Sequence, residues 1–178
     1  MTLRPAVFLD RDGVINRAVV RDGRPYPPQG LDDLEVLPGV GEALARLKAA
    51  GFALVVVTNQ PDVARGRQTE QAVQAMHDRL AALLPIDEFR VCWHDDDDRC
   101  ECRKPKPGLI TRPPAYDLSR SVLVGDRWRD IEAGRRAGCL ASILIDYGYY
   151  ERHQVDPDVR LHSLQEAADW ILSSMVNA

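Results

Sequence analysis

Two aspartates near the start of the chain, Asp10 and Asp12, have the spacing of a carboxylate pair that could hold a metal ion. The apolar run Ala6–Leu9 predicts a short buried strand before them, and Gly13 predicts a tight turn after them. On an extended chain residues i and i+2 share a face, so the two carboxylates would repel each other unless a cation lay between them. Hard divalent cations prefer such oxygen ligands. The pair alone leaves a solvated turn as the alternative.

Two further predicted strands also end in polar residues suited to phosphate or metal. The apolar run 52–57 leads into Thr58 and Asn59, and a later apolar run leads into Gly125 and Asp126. Ligands bind at the carboxyl ends of the strands in an open parallel sheet, so three such ends are expected to meet at one edge. This convergence favours a catalytic site over a set of unrelated surface turns.

A lysine lies between these strand ends in sequence. Lys104 belongs to the segment 103–108, which contains two prolines and ends at Gly108. The prolines restrict the backbone and the glycine permits a turn, so the lysine could be held in place to bind a phosphate group. A solvated linker is the alternative for a Lys-Pro-Lys-Pro run.

Strand and helix patterns alternate along the rest of the chain. Further strands are predicted at 89–92 and 140–145, and helices are predicted after Gly39, after Thr69, over 128–137 and after Ser163. Alternation of this kind predicts βαβ units, and therefore an α/β fold with a mainly parallel sheet and helices on its faces. The segment 17–37, rich in Gly and Pro, is predicted to be a long loop without regular structure, a kind of loop that is usually functional.

Length and composition are those of a single soluble domain, which we expect to span residues 1–178. The net charge of −4 argues against a nucleic-acid partner, because such a partner requires a basic surface. No apolar run approaches the roughly 18 residues of a membrane span, and the first residues do not resemble a signal peptide. We therefore expect a cytoplasmic monomer with no membrane partner.

Four motifs occur in the order that is typical of the haloacid dehalogenase superfamily: Asp10-x-Asp12, Thr58-Asn59, Lys104 and Gly125-Asp126-x-x-x-Asp130. Within that superfamily the chain resembles the capless bacterial phosphatases that act on heptose 1,7-bisphosphate or on histidinol phosphate. The resemblance covers roughly residues 6–146. It implies a Rossmann-like sheet without a large cap domain, and a Mg²⁺-dependent phosphatase that acts on a small sugar phosphate through an aspartyl-phosphate.

The resemblance also implies roles for individual residues. Asp10 would be the nucleophile, and Asp12 would protonate the leaving alkoxide and then activate water. Mg²⁺ would be held by the carboxylates of Asp10 and Asp126 and by the backbone carbonyl of Asp12. Lys104 would neutralise Asp10 and the transferring group, while Thr58 would hold phosphoryl oxygens.

Substrate contacts are expected from Asn59, Gln60, Arg103 and Arg127. Arg103 is adjacent to Lys104, and neighbours on an extended chain point to opposite sides. Arg103 should therefore reach outward, where its guanidinium could hold a second phosphate with two parallel hydrogen bonds. The alternative is a surface arginine paired with Asp98 or Glu101.

Two features of the chain depart from the family pattern, and one further residue is expected to support the metal site. Arg127 replaces the commoner lysine after the metal-binding aspartate, and the segment 109–120 contains Pro113-Pro114 where relatives have a full helix. We expect that helix to be very short or broken. Asp130 is expected to orient the metal site rather than to bind the ion.

A second metal site is predicted from Cys92, His94, Cys100 and Cys102. Three thiolates and one imidazole complete a closed tetrahedral Zn²⁺ site of structural type, and the related phosphatases carry the same pattern. The ion would fix the loop that delivers Arg103 and Lys104. The acidic run 95–98 inside this loop is interpreted as a solvated tip. Two unrelated cysteine pairs and a surface histidine are the alternative.

Other functions remain open at this point. Histidinol-phosphate phosphatase would use the same chemistry with another leaving group, and a nucleic-acid end phosphatase is disfavoured by the acidic charge. A non-catalytic zinc-stabilised interaction module is the alternative from a different class. It would have no need for the complete set of Asp10, Asp12, Lys104 and Asp126.

Overall fold

The computed structural model describes residues 3–175. Its strands are β1 (Ala6–Leu9), β2 (Val19–Arg21), β3 (Arg24–Tyr26), β4 (Ala53–Asn59), β5 (Glu88–Cys92), β6 (Val122–Gly125), β7 (Ala141–Ile145) and β8 (Val159–Leu161). Its α-helices are α1 (Val40–Ala49), α2 (Pro61–Ala64), α3 (Glu70–Leu83), α4 (Gly108–Thr111), α5 (Trp128–Ala137) and α6 (Leu164–Met175). Short 3₁₀ helices cover Leu31–Asp33, Asp96–Asp98 and Leu118–Arg120.

Six of these strands form one sheet in the order β5-β4-β1-β6-β7-β8, and each neighbouring pair is parallel. Counted along the chain, this is the order 3-2-1-4-5-6 of a Rossmann-like sheet, so the predicted fold class is confirmed. The strand order reverses between β1 and β6. That reversal leaves a crevice at their carboxyl ends, where ligands bind in such folds.

Both faces of the sheet are buried, which explains the continuous apolar runs of its strands. Val7 and Leu9 of β1 belong to a core cluster that also contains the buried faces of α1 and α6. Ala6 and Phe8, which alternate with them, belong to a second cluster with α4 and α5 on the opposite face. The prediction of helices on both faces is therefore confirmed.

The predicted helix starts are also confirmed, because their capping groups are present. The Thr69 hydroxyl accepts a hydrogen bond from the Ala72 amide at 3.1 Å at the start of α3. The Ser163 hydroxyl likewise accepts from the Glu166 amide at 3.1 Å before α6. The Glu166 carboxylate returns to the His162 amide at 3.0 Å rather than to the cap residue itself. These contacts satisfy amide groups that the first helical turn leaves without partners.

The prediction that residues 17–37 lack regular structure was wrong. Strands β2 and β3 pair as an antiparallel hairpin, and their turn is Asp22-Gly23, with positive φ angles of 50° and 70°. An Asp-Gly pair suits such a turn, so the signal was present but was obscured by strands of only three residues. The Gln68 side chain donates hydrogen bonds to the Pro28 and Gln29 carbonyls, each at 3.0 Å, and so holds the residues that follow the hairpin.

The sequence analysis did not predict strand β8 at the edge of the sheet. It did predict that the helix of the segment 109–120 would be very short or broken. The segment 109–120 contains two short elements. The helix α4 begins at Gly108 and ends at Thr111, and one 3₁₀ turn covers Leu118–Arg120. Within residues 3–175 no helix is long and apolar enough to cross a membrane.

Candidate active site

Three aspartates meet at the point where the strand order reverses. Asp10 follows β1, Asp126 follows β6, and Asp130 lies in the first turn of α5. One carboxylate oxygen from each lies within 4.8 Å of the others. The sequence-predicted convergence of strand ends therefore places these three acids in one cluster.

Two glycines let the chain come close enough to build this cluster. Gly13 has a φ angle of +93°, and a Cβ atom there would lie 2.1 Å from Oδ2 of Asp126. A Cβ atom at Gly125 would lie 2.1 Å from Cβ of Asp130. Any side chain at either position would displace a carboxylate of the cluster, which explains why both motifs contain glycine.

Lys104 is the cation of the cluster. Its Nζ donates to Asp10 Oδ1 at 2.8 Å, lies 2.6 Å from Asp130 Oδ1 and donates to the Val57 carbonyl at 2.7 Å, while its side chain is 3% exposed. Burial alone would lower the pKa of Lys104, but Asp10 and Asp130 raise it above its ordinary value. The lysine is therefore charged and fixed beside Asp10.

Asn59 positions this lysine through the backbone. Its Oδ1 accepts from the Lys104 amide at 3.0 Å, and its Nδ2 donates to the Lys104 carbonyl at 3.1 Å. The predicted substrate contact of Asn59 stays a prediction. Its side chain lies at the cavity, but its carboxamide is already bonded to the segment that carries Lys104.

The Asp126 carboxylate has the environment of a ligand that requires a cation. Both of its oxygens are buried and have no close hydrogen-bond partner among the residues that the structure describes, and the Tyr149 phenol lies near enough for burial and Asp126 to raise the pKa of Tyr149. Burial, followed by Asp10 and Asp130, raises the pKa of Asp126 well above its ordinary value. Burial and then Asp130 raise the pKa of Asp10 to about 6. Three carboxylates and one lysine leave a negative excess, and a hard divalent cation such as Mg²⁺ suits this oxygen donor set.

Asp12 lies outside the three-carboxylate cluster, lines the same cavity and is surrounded by donors. Arg11 donates to both of its oxygens at 3.0 and 3.1 Å, Asn16 donates at 2.9 Å and Gln60 donates at 3.0 Å. Burial would raise the pKa of Asp12, but the charge and hydrogen bonds of Arg11, and then those of Asn16 and Gln60, lower it. The resting form of Asp12 is therefore a firmly held carboxylate.

Gln60 was predicted to contact substrate, and this prediction was wrong. The residue is completely buried, and its Nε2 donates both to Asp12 and to the Thr58 hydroxyl, the latter at 2.9 Å. Its carboxamide therefore orients Asp12 and Thr58. Thr58 itself lies at the end of β4 and is 1% exposed.

A cavity of about 290 Å³ opens over the cluster, and its wall is rich in arginine. The cavity-lining arginines are Arg24, Arg65, Arg103, Arg127 and Arg129. Arg24 comes from the hairpin β2–β3, and Arg129 comes from the first turn of α5. Such a concentration of guanidinium groups favours a polyanionic ligand.

The acidic run 95–98 was predicted to be a solvated tip, but two of its aspartates contact arginines. Asp96 Oδ1 accepts from Arg103 Nε at 2.8 Å and from an Arg129 terminal nitrogen at 3.2 Å, so one oxygen bridges the two guanidinium groups. Asp95 accepts two hydrogen bonds from Arg65, each at 2.6 Å. The run therefore orients arginines of the cavity wall.

The predicted opposite orientation of Arg103 and Lys104 was also wrong, because the chain turns at residues 101–107 instead of running extended. Both side chains line the same cavity, Lys104 at its floor and Arg103 against Asp96. Arg103 is thus paired with an acid, but this acid is Asp96 rather than Asp98 or Glu101, and the side chain also lines the cavity.

The four predicted zinc ligands lie together. The Sγ atoms of Cys92 and Cys102 lie 3.7 and 3.5 Å from that of Cys100, and the same two atoms lie 3.6 and 3.3 Å from Nδ1 of His94. Zn–S bonds of about 2.3 Å in a tetrahedron require ligand separations of about 3.7 Å. The donor types and their spacing therefore suit a closed Zn²⁺ site.

Sequence reasoning missed several residues that shape the cavity. Arg24, Arg65 and Arg129 were not identified, nor was Glu151, which accepts from Arg127 Nε at 2.5 Å. Tyr147 was also missed, although its hydroxyl donates to the Gly13 carbonyl at 2.9 Å. Only Arg129 stood inside a recognised motif, between Asp126 and Asp130, where its charge could have been noticed.

The chain is similar to known proteins over nearly its whole length. A family model described as HAD-hydrolase-like matches residues 101–173. The chain is 34% identical to the D-glycero-beta-D-manno-heptose-1,7-bisphosphate 7-phosphatase of Escherichia coli K12, over 97% of this chain and 91% of that protein. It is 41% identical to the D-glycero-alpha-D-manno-heptose-1,7-bisphosphate 7-phosphatase of Mycobacterium tuberculosis H37Rv, over 78% of each.

A solved structure shows the same arrangement of the backbone. The crystal structure of D,D-heptose 1,7-bisphosphate phosphatase from B. bronchiseptica, complexed with magnesium and phosphate, superposes with a TM-score of 0.77 at 32% sequence identity. The match covers 96% of this chain and 99% of that one.

Proposed function

Because the chain belongs to the heptose-1,7-bisphosphate 7-phosphatase family of haloacid dehalogenase-like hydrolases, we propose that it removes the 7-phosphate of D-glycero-D-manno-heptose 1,7-bisphosphate. The observation that carries this proposal is the pairing of Lys104 Nζ with Asp10 beside Asp126, whose two oxygens lack partners among the described residues. This arrangement offers a nucleophile, a fixed positive charge and an oxygen site for Mg²⁺ at one point.

In the proposed first step an Asp10 oxygen attacks phosphorus, and the bond between phosphorus and the sugar oxygen breaks. Lys104 offsets the negative charge that the transferring group brings towards Asp10. Asp12, whose resting form is a carboxylate, first takes up a proton from solvent, and it then gives that proton to the departing alkoxide. In the second step Asp12 takes a proton from water, which attacks the aspartyl-phosphate and releases inorganic phosphate.

Mg²⁺ would be held by the carboxylates of Asp10 and Asp126 and by the backbone carbonyl of Asp12. When bound, it supplies positive charge to the phosphoryl oxygens. Asp130 supports the same site through Lys104 and through the Arg127 amide, which donates to Asp130 Oδ2 at 3.1 Å. Thr58 lies at the end of β4, and its hydroxyl would hold a phosphoryl oxygen.

The cavity wall favours a bisphosphate over histidinol phosphate. Arg103 and Arg129 both donate to Asp96 Oδ1, which keeps two guanidinium groups together at the wall of the cavity. A second phosphate could bind both groups, whereas the ammonium group of histidinol would be repelled by them. A non-catalytic interaction module would leave the buried charges of Asp10, Lys104 and Asp126 without a purpose.

A substrate panel tests the proposed function directly. Purified protein should release one equivalent of phosphate from heptose 1,7-bisphosphate in the presence of Mg²⁺, and little when EDTA is added. Both anomers should be supplied, because the two relatives described above carry different anomers in their names. Faster turnover of histidinol phosphate than of either anomer would contradict the proposal.

Replacing Arg103 with alanine should impair use of the bisphosphate selectively. Bidentate contacts to a charged group contribute about 1.5–3 kcal/mol, so kcat/KM for the bisphosphate should fall about 10- to 100-fold. A sugar monophosphate has no second phosphate that Arg103 could bind, so its kcat/KM should change less than about twofold. Steady-state kinetics with both substrates measure this difference.

Two further variants control this prediction. Arg103→Lys keeps the charge without the planar fork and should give an intermediate loss. Arg120→Ala removes an exposed arginine outside the cavity and should leave both substrates unaffected. An equal fall for bisphosphate and monophosphate in Arg103→Ala would show that Arg103 does not recognise the distal phosphate.

We also propose that Cys92, His94, Cys100 and Cys102 hold one structural Zn²⁺ ion. The ion would fix the loop between β5 and α4, which carries Asp96, Arg103 and Lys104 to the cavity. All four positions of the tetrahedron are filled by protein ligands, so zinc would have no open position for chemistry.

Replacing Cys100 with serine should remove zinc and loosen residues 92–108. Elemental analysis should find about one ion per chain in the wild type and far less in the variant, with a thermal midpoint several degrees lower. Cys139→Ser is the matched control, because Cys139 lies outside the four-ligand cluster. Wild-type protein purified without chelators that contains no zinc would contradict the proposed site.

The remaining proposals concern the chain as a whole. We propose that residues 1–178 act as one phosphatase domain in the cytoplasm and as a monomer. The short elements over the carboxyl edge of the sheet, the hairpin β2–β3 and the zinc loop, would grip the substrate in place of a cap domain.

A further inference from the structure

Arg11 is a buried cation with partners on both sides. Its side chain is 0% exposed, and its Nε and one terminal nitrogen donate to the two oxygens of Asp12. The other terminal nitrogen lies 3.1 Å from Nε2 of His77. A buried charge is costly unless it is paired and hydrogen-bonded, so these contacts determine where the guanidinium group lies.

His77 fixes the far side of Arg11. It belongs to α3, is 1% exposed, and its ring stacks on Phe89 of β5 with centroids 4.6 Å apart. A guanidinium group has only donors, so Nε2 of His77 must accept and the ring must be neutral with its proton on Nδ1. Burial, followed by Arg11, lowers the pKa of His77 to about 4, which agrees with a neutral ring at neutral pH.

The Asp12 carboxylate has no acceptor position left for a proton. A carboxylate offers about four lone pairs, and Arg11, Asn16 and Gln60 supply four N–H groups. One donor must therefore withdraw whenever Asp12 carries a proton. Arg11 cannot withdraw without leaving a buried charge unpaired.

The Gln60 carboxamide is the group that can yield. Its Oε1 atom is buried and has no hydrogen-bond partner in the described part of the chain. Half a turn of this carboxamide would present the oxygen to a protonated Asp12 and to the Thr58 hydroxyl, which can donate. Asn16 stays in place, because its Nδ2 also donates to the Arg17 carbonyl at 3.2 Å. Arg11 would remain as the fixed donor through both protonation states.

We propose that His77, acting through Arg11, is a positioning residue that fixes the direction in which Asp12 delivers its proton to the leaving oxygen. The proposal rests on the proposed function, in which Asp12 is the general acid and base. His77 itself is buried and is not among the residues that line the cavity. It acts 66 residues away in sequence by holding the guanidinium group that holds Asp12.

The chemistry of the first step makes this role measurable. As the bond from Asp10 to phosphorus forms, the bond from phosphorus to the leaving oxygen breaks, and the proton of Asp12 passes to that oxygen. A sugar alkoxide needs this proton, whereas 4-nitrophenolate is stable without it. A misdirected Asp12 should therefore slow a sugar phosphate much more than 4-nitrophenyl phosphate.

The experiment compares His77→Leu with His77→Gln. Leucine fills much of the space without an acceptor, whereas the glutamine carbonyl can still accept from Arg11. We expect kcat/KM of His77→Leu for heptose 1,7-bisphosphate to fall about tenfold or more, and that for 4-nitrophenyl phosphate to fall less than about twofold. His77→Gln should restore most of the loss on the sugar phosphate.

Arg11→Lys keeps the proposal testable if His77→Leu does not fold. Lysine retains the charge but cannot bind both Asp12 oxygens in parallel, so the same selective loss is expected. An equal fall for both substrates, or no fall for the sugar phosphate, would overturn the positioning role. Turnover by the wild type tests the proposed function separately. An inactive wild type would contradict the proposed function as a whole, and not only the positioning of Asp12.

Discussion

Replacing Asp10 with asparagine should abolish turnover and leave the fold intact. The change is nearly isosteric, but a carboxamide is not a nucleophile and is a poorer partner for Mg²⁺. Loss of a nucleophile in enzymes can cost about 10⁶-fold in kcat, and we expect a loss of at least about 10³-fold here. Phosphate release with Mg²⁺ present measures the loss, and circular dichroism with thermal unfolding checks the fold.

The environment of Asp10 explains why stability should survive this change. Burial and the neighbouring Asp130 raise the pKa of Asp10 to about 6, so its charge is disfavoured in the metal-free protein. Lys104 keeps its salt bridge to Asp130 at 2.6 Å when the Asp10 charge is removed. Asp32→Asn, at an exposed position outside this cavity, is the control. Substantial Mg²⁺-dependent hydrolysis by Asp10→Asn would exclude Asp10 as the nucleophile.

The sequence was sufficient for the sheet and for the floor of the site. The apolar runs before Asp10, Thr58 and Asp126 predicted buried parallel strands, because both faces of such strands must be apolar. Once the strands are parallel, their carboxyl ends share an edge, so the convergence of these residues follows from topology. Lys104 was identified because prolines and a glycine surround it.

The roles of the amide side chains could not be predicted in the same way. Asn59 and Gln60 carry both donors and acceptors, and their residue types suit a substrate contact as well as an internal one. Burial decides between the two, and burial depends on packing between distant elements. In the structure Asn59 bonds to the backbone of Lys104, 45 residues away, and Gln60 bonds to Asp12, 48 residues away.

The arginine-rich wall was hidden for a similar reason. Its members come from the hairpin, from the segment after β4, from the zinc loop and from the start of α5. No spacing in the sequence relates these elements. The acidic run 95–98 had the composition of a solvated tip, and only the fold shows that Asp95 and Asp96 contact arginines.

Replacing Asp126 with asparagine should remove activity and at the same time stabilise the metal-free protein. Both Asp126 oxygens are buried without a close hydrogen-bond partner among the described residues, and the nearby charges of Arg127 and Lys104 do not offset the effects of burial, Asp10 and Asp130. We expect kcat to fall at least about 10²-fold. Without Mg²⁺ the thermal midpoint should rise, by about 2–4 °C for each kcal/mol of relieved charge.

The pH dependence of this stabilisation has a definite sign. Burial, then Asp10 and Asp130, raise the pKa of Asp126 well above its ordinary value, so the folded protein binds that proton more tightly than the unfolded chain. Below about 3.9, the pKa of an aspartate in the unfolded chain, the folded wild type keeps the full stability that this proton gives. The folded wild type loses that stability as the pH rises through the folded pKa of Asp126. Asparagine cannot lose a proton, so the difference in thermal midpoint between Asp126→Asn and wild type should grow as the pH rises.

Mg²⁺ should separate the role of Asp126 from that of an ordinary buried acid. A cation that binds the folded protein stabilises it by an amount that grows with the logarithm of its concentration, so added Mg²⁺ should raise the wild-type midpoint by a similar step for each tenfold increase above its Kd and should have almost no effect on Asp126→Asn. Asp146 is the matched control, because it also follows a strand, but its carboxylate already accepts from Arg160 and from the Gly148 amide. Asp146→Asn should lower the midpoint and retain the response to Mg²⁺. If Asp126→Asn still responds to Mg²⁺ and still turns over substrate, Asp126 is not a ligand, and its unpartnered oxygens require another explanation.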